Sequence, residues 1–245
     1  MHWLDGVLAV PLTGIQVIPN FRALADEREV IAPLLDDLQR EHDDLDVAQD
    51  AKWSFGIRTK DGFSIQIGAT DILSSFKYLS SPARSPGQLP RLSFGELRPY
   101  SALLDKCTQH TKLVFSKFLD VGHTFKITRV GIVAFAGLDP DSLPPGIKEL
   151  FLHLGKPWNR PLVKCNTALL ANLEETSDYL ERCHHSIIYD ETSDTKEMTV
   201  SLDWQRVLAE PVSSDRDCVS GLLAEVTSKA TKYFARVAEG VFVDD

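Results

Sequence analysis

No stretch of this sequence is long and apolar enough to cross a bilayer as a helix. The longest mostly apolar run, Val130 to Leu138, falls far short of the roughly 20 residues a spanning helix needs. The four cysteines stand at 107, 165, 183 and 218 with no CxxC pair. That spacing matches neither a disulfide framework nor a structural zinc signature, and the cysteines read as small, partly buried hydrophobes. A glycine-rich strand-to-helix turn is missing, which argues against a Rossmann or P-loop fold. There is no GxSxG, no HExxH and no kinase motif set, and no residue pattern asks for a cofactor. The opening Met1-His2-Trp3-Leu4-Asp5 has no basic segment and carries an acid where a secretory signal would be apolar. The expectation is a cytoplasmic protein without a membrane partner.

What is present is an ordinary globular composition, 43% apolar and 25% charged over 245 residues, enough for a sizeable core. The 26 basic and 35 acidic residues leave a net charge of -9. That excess repels polyanions and disfavours non-specific nucleic-acid binding.

Val7 to Ile18 is β-branched but interrupted by Pro11 and Gly14, and reads as an edge or bent strand. Asp26 is placed to cap a helix over Glu27–Leu45 with Ile31, Leu34, Leu35, Leu38, His42 and Leu45 on one stripe. Pro33 moves its expected start toward Ala32. Trp53, Phe55 and Ile57 alternate, Lys60-Asp61-Gly62 turns the chain, and Phe63, Ile65 and Ile67 resume, which predicts a hairpin. A strand near Ile72–Tyr78 follows. Ser80 to Pro90 reads as an exposed loop, and Phe94–Leu119 as a helix buried through Leu97, Leu104, Cys107, Val114, Phe115 and Phe118.

The second half starts with a strand over Thr124–Ala136, then a short helix over Ile147–Leu154 and strands near Val163–Leu173, Tyr179–Tyr189 and Glu197–Trp204. It closes with a helix over Asp215–Ala238 capped by Ser214. The pattern predicts an α+β fold: a largely antiparallel sheet with long amphipathic helices on one face. It also suggests two pseudo-repeated halves, residues 1–122 and 123–245, within one compact unit.

Candidate chemistry is sparse. The acidic run holds Asp36, Asp37, Glu41, Asp43, Asp44, Asp46 and Asp50. It reads either as the solvated face of a helix or as a surface for a partner protein, with Trp158 as a further interface residue. A calcium loop is disfavoured because no glycine interrupts the run. His42-Asp43 is a bare HD dipeptide, too little for a metal-dependent phosphohydrolase. Cys183, His184 and His185 lie on a predicted strand, His184 on one face and its neighbours on the other. With Cys165 on the preceding strand they form a candidate metal set. Asp190, Glu191, Asp194 and Lys196 loosely match a nuclease carboxylate–lysine pattern but fall within one turn.

Several strings carry a family resemblance: FSIQIGATDILSSFKYLS at 63–80, LPRLSFGELRPYSALLDKCTQHTKLVFSKFL at 89–119, FKITRVGIVAF at 125–135, and Leu202-Asp203 before the last helix. In their order they resemble a family of sporadically distributed bacterial proteins of similar length without an established activity. The chain departs where relatives carry Tyr-Ile-Asn after the Arg-Val-Gly strand; Ala134-Phe135-Ala136 stands there instead. The resemblance implies a bacterial accessory protein and supplies no catalytic residues. The first functional expectation is therefore a non-catalytic interaction or regulatory subunit with a protein partner, a homodimer being one form. The alternatives are a metal-dependent hydrolase or nuclease, and a small-ligand-binding or chaperone-like protein, the last by analogy with export chaperones.

Overall fold

Val17 N–H donates to Thr70 O at 2.9 Å, and that single bond explains why a proline-bearing segment can sit at the centre of a sheet. In the computed structural model, which describes residues 2–25, 27–42, 45–51, 54–78, 80–83, 91–94, 96–155, 163–191 and 198–241, β1 (Leu8–Ile18) pairs with strands on both flanks. It is central, not an edge. Alternation by two residues turns the Pro11 nitrogen to the same flank as the Val17 N–H. On that flank pairing to β5 (Asp71–Phe76) begins only at Leu12, so the missing N–H removes no ladder bond.

The first helices are α1 (Phe21–Ala25) and α2 (Glu27–Gln39). α2 runs through Pro33 instead of starting near Ala32. Pro33 and Glu29 are both exposed, so water can satisfy the carbonyl that proline leaves without a donor. α2 ends at Gln39, and Leu45 opens strand β2 (Leu45–Ala51) instead of closing the helix. β3 (Ser54–Thr59) and β4 (Phe63–Ile67) form the expected hairpin. Gly62 turns it at φ 106°, and a Cβ there would meet Lys77 O at 2.3 Å. β6 (Ser80–Ala83) and β7 (Arg91–Phe94) pair with each other, so strand bounds the expected loop, whose residues 84–90 lie outside the described set.

α3 (Tyr100–Asp120) starts after Pro99, six residues later than the periodicity suggests. Leu97 is consequently exposed, whereas Tyr100 is buried. The second half contributes β8 (Lys126–Leu138), α4 (Pro145–Gly155), β9 (Lys164–Glu175), β10 (Tyr179–Asp190), β11 (Met198–Ser213) and α5 (Arg216–Glu239). Asp215, not Ser214, caps α5 by accepting from Cys218 N at 2.8 Å. Ser214 is buried, and its hydroxyl accepts from Phe125 N at 2.7 Å.

The result is an α+β fold with one nine-stranded antiparallel sheet, ordered β2-β3-β4-β5-β1-β8-β11-β10-β9. β1 and β8 join the two halves across its middle. α3 packs on β1 and β5, α5 packs on β8 and β11, and the two helices touch each other. Phe115 and Phe118 of α3 meet Phe125 edge-to-face at 6.0 and 4.9 Å. Each fully buried ring of this kind contributes about 1.5–3 kcal/mol. No helix among the described residues is long and apolar enough to cross a membrane.

Candidate functional site

The end of α2, the β3–β4 turn and the middle of α3 converge on a buried histidine pair. After α2 the chain turns, with His42 N donating to Leu38 O at 2.9 Å. The turn carries the His42 ring inward. His110 occupies the inner stripe of α3, between Cys107 and Val114. The two Nε2 atoms lie 3.3 Å apart, and both residues are buried. His42 Nδ1 lies 3.1 Å from Asp61 Oδ1 in the hairpin turn. Thr59 fixes that carboxylate, donating to Asp61 Oδ1 at 2.5 Å while its hydroxyl accepts from Phe63 N at 2.9 Å. The Phe63 ring packs against both imidazoles, 5.7 Å from His42 and 5.2 Å from His110.

Electrostatics sort these groups. Burial, and then the neighbouring His42, push His110 down to about 4, so it is neutral at ordinary pH. At Asp61 burial works upward, but the Thr59 hydroxyl, His42 and Arg98 outweigh it and hold the carboxyl below its usual range. Glu41 is held low chiefly by its hydrogen bond to Lys106 of α3. His110 Nδ1 finds no hydrogen-bond partner among the described residues. Two hollows adjoin residues of this cluster. A groove of about 390 Å³ is lined by Glu41, His110, Lys112, Leu113, Arg216 and Ser220. A hollow of about 430 Å³ is lined by Asp61, the carboxylate beside His42, with Phe76, Tyr78 and Arg98.

The acids singled out in the sequence are distributed differently. Asp36 is exposed. Asp37 pairs with Lys117 at 2.6 Å and Arg40 at 3.1 Å, and Glu41 pairs with Lys106. Asp37 and Glu41 thus tie α2 to α3. Asp43, Asp44 and Trp158 lie outside the described residues. Cys183 and His185 are buried on the same side of β10 and His184 is on the other, so the three side chains do not converge. Cys165 pairs with Tyr189 whereas Cys183 pairs with Ala171, a separation of roughly 20 Å along the strands at about 3.4 Å per residue. Burial pushes the Cys183 thiol far above its usual range, and His185 Nε2 lies 3.0 Å from the Tyr233 hydroxyl. Among the described residues, the one group of three or more donors close enough to share an ion is Glu41, His42 and His110.

Two further polar clusters escaped the sequence reading. In the second half, Arg206 donates to Glu181 at 2.9 and 2.5 Å and to Glu225 at 2.7 Å. Lys229 reaches Glu181 at 3.0 Å and Glu174 at 2.9 Å, beside a cavity of about 330 Å³ lined by Trp204, Tyr233, Lys232 and Arg236. On the opposite face of the sheet, Arg129 and Arg182 both donate to Gln205 Oε1, at 3.1 and 3.2 Å. Gln205 Nε2 donates to Asp203 at 2.6 Å, and burial raises the Asp203 carboxyl. Gly14 pairs with Gly131 beneath this cluster, leaving a shallow hollow of about 250 Å³. No histidine in this chain sits in a motif that announces a partner. The one signal for His110 was a titratable residue on the inner stripe of an amphipathic helix.

No protein-family model matches this chain, and no curated protein matches it.

Proposed function

We propose that this chain is a non-catalytic interaction or accessory subunit of a bacterial multi-protein system in the cytoplasm, and that it docks another polypeptide on its sheet. Membership of the sporadically distributed bacterial family that the sequence resembles is part of that reading. Burial alternation supports helices gathered on one face. Ala9, Ile15 and Val17 of β1, Ile132, Ala134 and Ala136 of β8, and Leu202 and Trp204 of β11 are buried, on the elements that α3 and α5 contact.

The observation that carries the proposal is the opposite face. Leu8, Phe135, Ile188 and Leu170, on four different strands, are each at least 38% exposed. Register places Leu8 beside Gly137, Phe135 beside Ser201, and Ile188 beside Thr199. Apolar anchors interleaved with small residues and bordered by the Arg129–Gln205–Asp203 cluster suit a polypeptide interface. The net charge of -9 opposes stacking a second copy there, which favours a different chain. Element order supports the paired halves: each has a central strand, a helical segment, strands that run from the edge back to the centre, and a long helix.

The test is affinity purification of the full chain from its native host, with mass spectrometry and in-line light scattering. A stoichiometric protein partner is expected, lost in a Phe135→Asp/Ile188→Asp variant whose circular dichroism and melting temperature match the parent. Capture should persist in Asp36→Asn/Asp37→Asn. A partner indifferent to the sheet-face changes, or a chain that emerges alone or as a homodimer, overturns the reading.

A further inference from the structure

We infer that Glu41, His42 and His110 bind a divalent transition-metal ion of the zinc class. The first support is distance. An ion that holds two imidazoles at about 2.0–2.1 Å in tetrahedral geometry separates their nitrogens by about 3.3–3.4 Å. The His42 and His110 Nε2 atoms are 3.3 Å apart. The donor atoms of Glu41, His42 and His110 all lie within 4.8 Å of one another, so Glu41 completes the set by a side-chain rotation at an exposed position.

The second support is the orientation of the rings. Asp61, 3.1 Å from His42 Nδ1, draws the proton onto that nitrogen and leaves the Nε2 lone pair facing His110. A carboxylate behind a ligating histidine is the usual arrangement at such centres. His110 is buried and its Nδ1 has no hydrogen-bond partner among the described residues, so that nitrogen can carry the ring proton while Nε2, 3.3 Å from His42 Nε2, turns its lone pair to the ion. Thr59 and the Gly62 turn hold Asp61 in place, which makes the hairpin the frame of the site.

Charge and ligand type set the ion. Glu41 and Asp61 together balance a divalent cation. Two imidazoles favour zinc and its neighbours over magnesium or calcium, which take oxygen ligands. Lys106 now occupies the Glu41 carboxylate; an ion would replace one positive charge by another at the same oxygen. Glu41 and His110 also line the groove between α3 and α5, from which water can supply a fourth ligand.

This competition gives a decisive measurement. Zinc chloride titrated into the chelator-stripped full chain should bind at one ion per chain. Cobalt(II) should give the intense visible bands of a tetrahedral site. Glu41→Gln should weaken zinc at least tenfold, and Asp61→Asn by about 10–100-fold. Lys106→Met should tighten it several-fold by releasing Glu41. His42→Gln/His110→Gln should abolish binding, with circular dichroism reporting its fold. Glu41→Gln and Lys106→Met change only partly exposed side chains and keep the test decisive if that double variant unfolds. Absence of one-to-one binding, or binding unchanged in both Glu41→Gln and Lys106→Met, overturns the inference.

Discussion

Arg206 and Glu181 have almost left water: their side chains are 3% and 4% exposed. Removing two charges from water costs several kcal/mol each, and only close, multiple hydrogen bonds offset that. Here Arg206 donates twice to Glu181, stacks over the Tyr179 ring at 4.2 Å and reaches Glu225. Arg206→Ala should therefore destabilise the protein by about 3 kcal/mol, the lower end for a broken buried pair, because Lys229 still neutralises Glu181. A Glu181→Leu/Arg206→Met double variant should recover most of that loss, as chemical denaturation will read. A second residue-scale effect concerns pH. Burial first, and His184 second, lower the His185 pKa in the folded chain. Below the ordinary value of about 6.5 the unfolded chain takes a proton at this position while the folded chain does not. The unfolded state then binds more protons, so stability rises with pH between the lowered pKa and about 6.5, by at most about 1.4 kcal/mol per unit. His185→Gln should reduce the slope of unfolding free energy against pH over that window, leaving the part that His110, lowered for the same reason, contributes. An unchanged slope would show that His185 is not its source.

At the scale of elements, α4 and α5 meet where neither has a side chain. A Cβ on Gly146 would lie 2.2 Å from both Gly240 N and Val237 O. Those atoms belong to the closing turn of α5, where Gly240 takes φ 85° and its N–H caps the helix. Gly146→Ala should force the two backbones apart and cost about 1–3 kcal/mol, as overpacking generally does. Amide exchange should quicken in the last turn of α5 and leave β3 and β4 unchanged. The same level explains what the sequence disclosed. The β3–β4 hairpin was legible because strict alternation around a glycine turn has one simple solution. The end of α2 was not. His42 and Leu45 continue the helical spacing from Leu38, while Leu45 also alternates with Val47, so a short apolar run satisfied both periods. β1 looked like an edge because Pro11 removes a donor, and only the pairing limits show that this donor faces unpaired backbone. The histidine pair was invisible for another reason: His42 and His110 are 68 residues apart in sequence. Only the packing of α2 on α3 brings them together.

Over the whole molecule, the join between residues 122 and 123 falls between α3 and β8, yet the sheet does not divide there. β1 and β8 are paired along eleven positions, and α3 touches α5. Each half therefore covers a strand edge of the other, and the core is continuous from Leu34 in the first half to Leu223 in the second. Such a core should unfold as one cooperative unit. Ile132 of β8 is fully buried at the centre, and Ile132→Ala should cost about 2–5 kcal/mol. The informative feature is where that loss appears. With Trp3, Trp53 and Trp158 replaced by Phe in every chain compared, Trp204 fluorescence reports the second half, and amide exchange in β3 and β4 reports the first. If the sheet is one unit, both probes should shift by the same amount in Ile132→Ala and give coincident transitions in the parent. If the halves are independent, exchange in β3 and β4 would be unchanged while the fluorescence transition moved. That outcome would make the β1–β8 ladder a docking contact between two domains, and it would place the uncovered sheet face on two bodies instead of one.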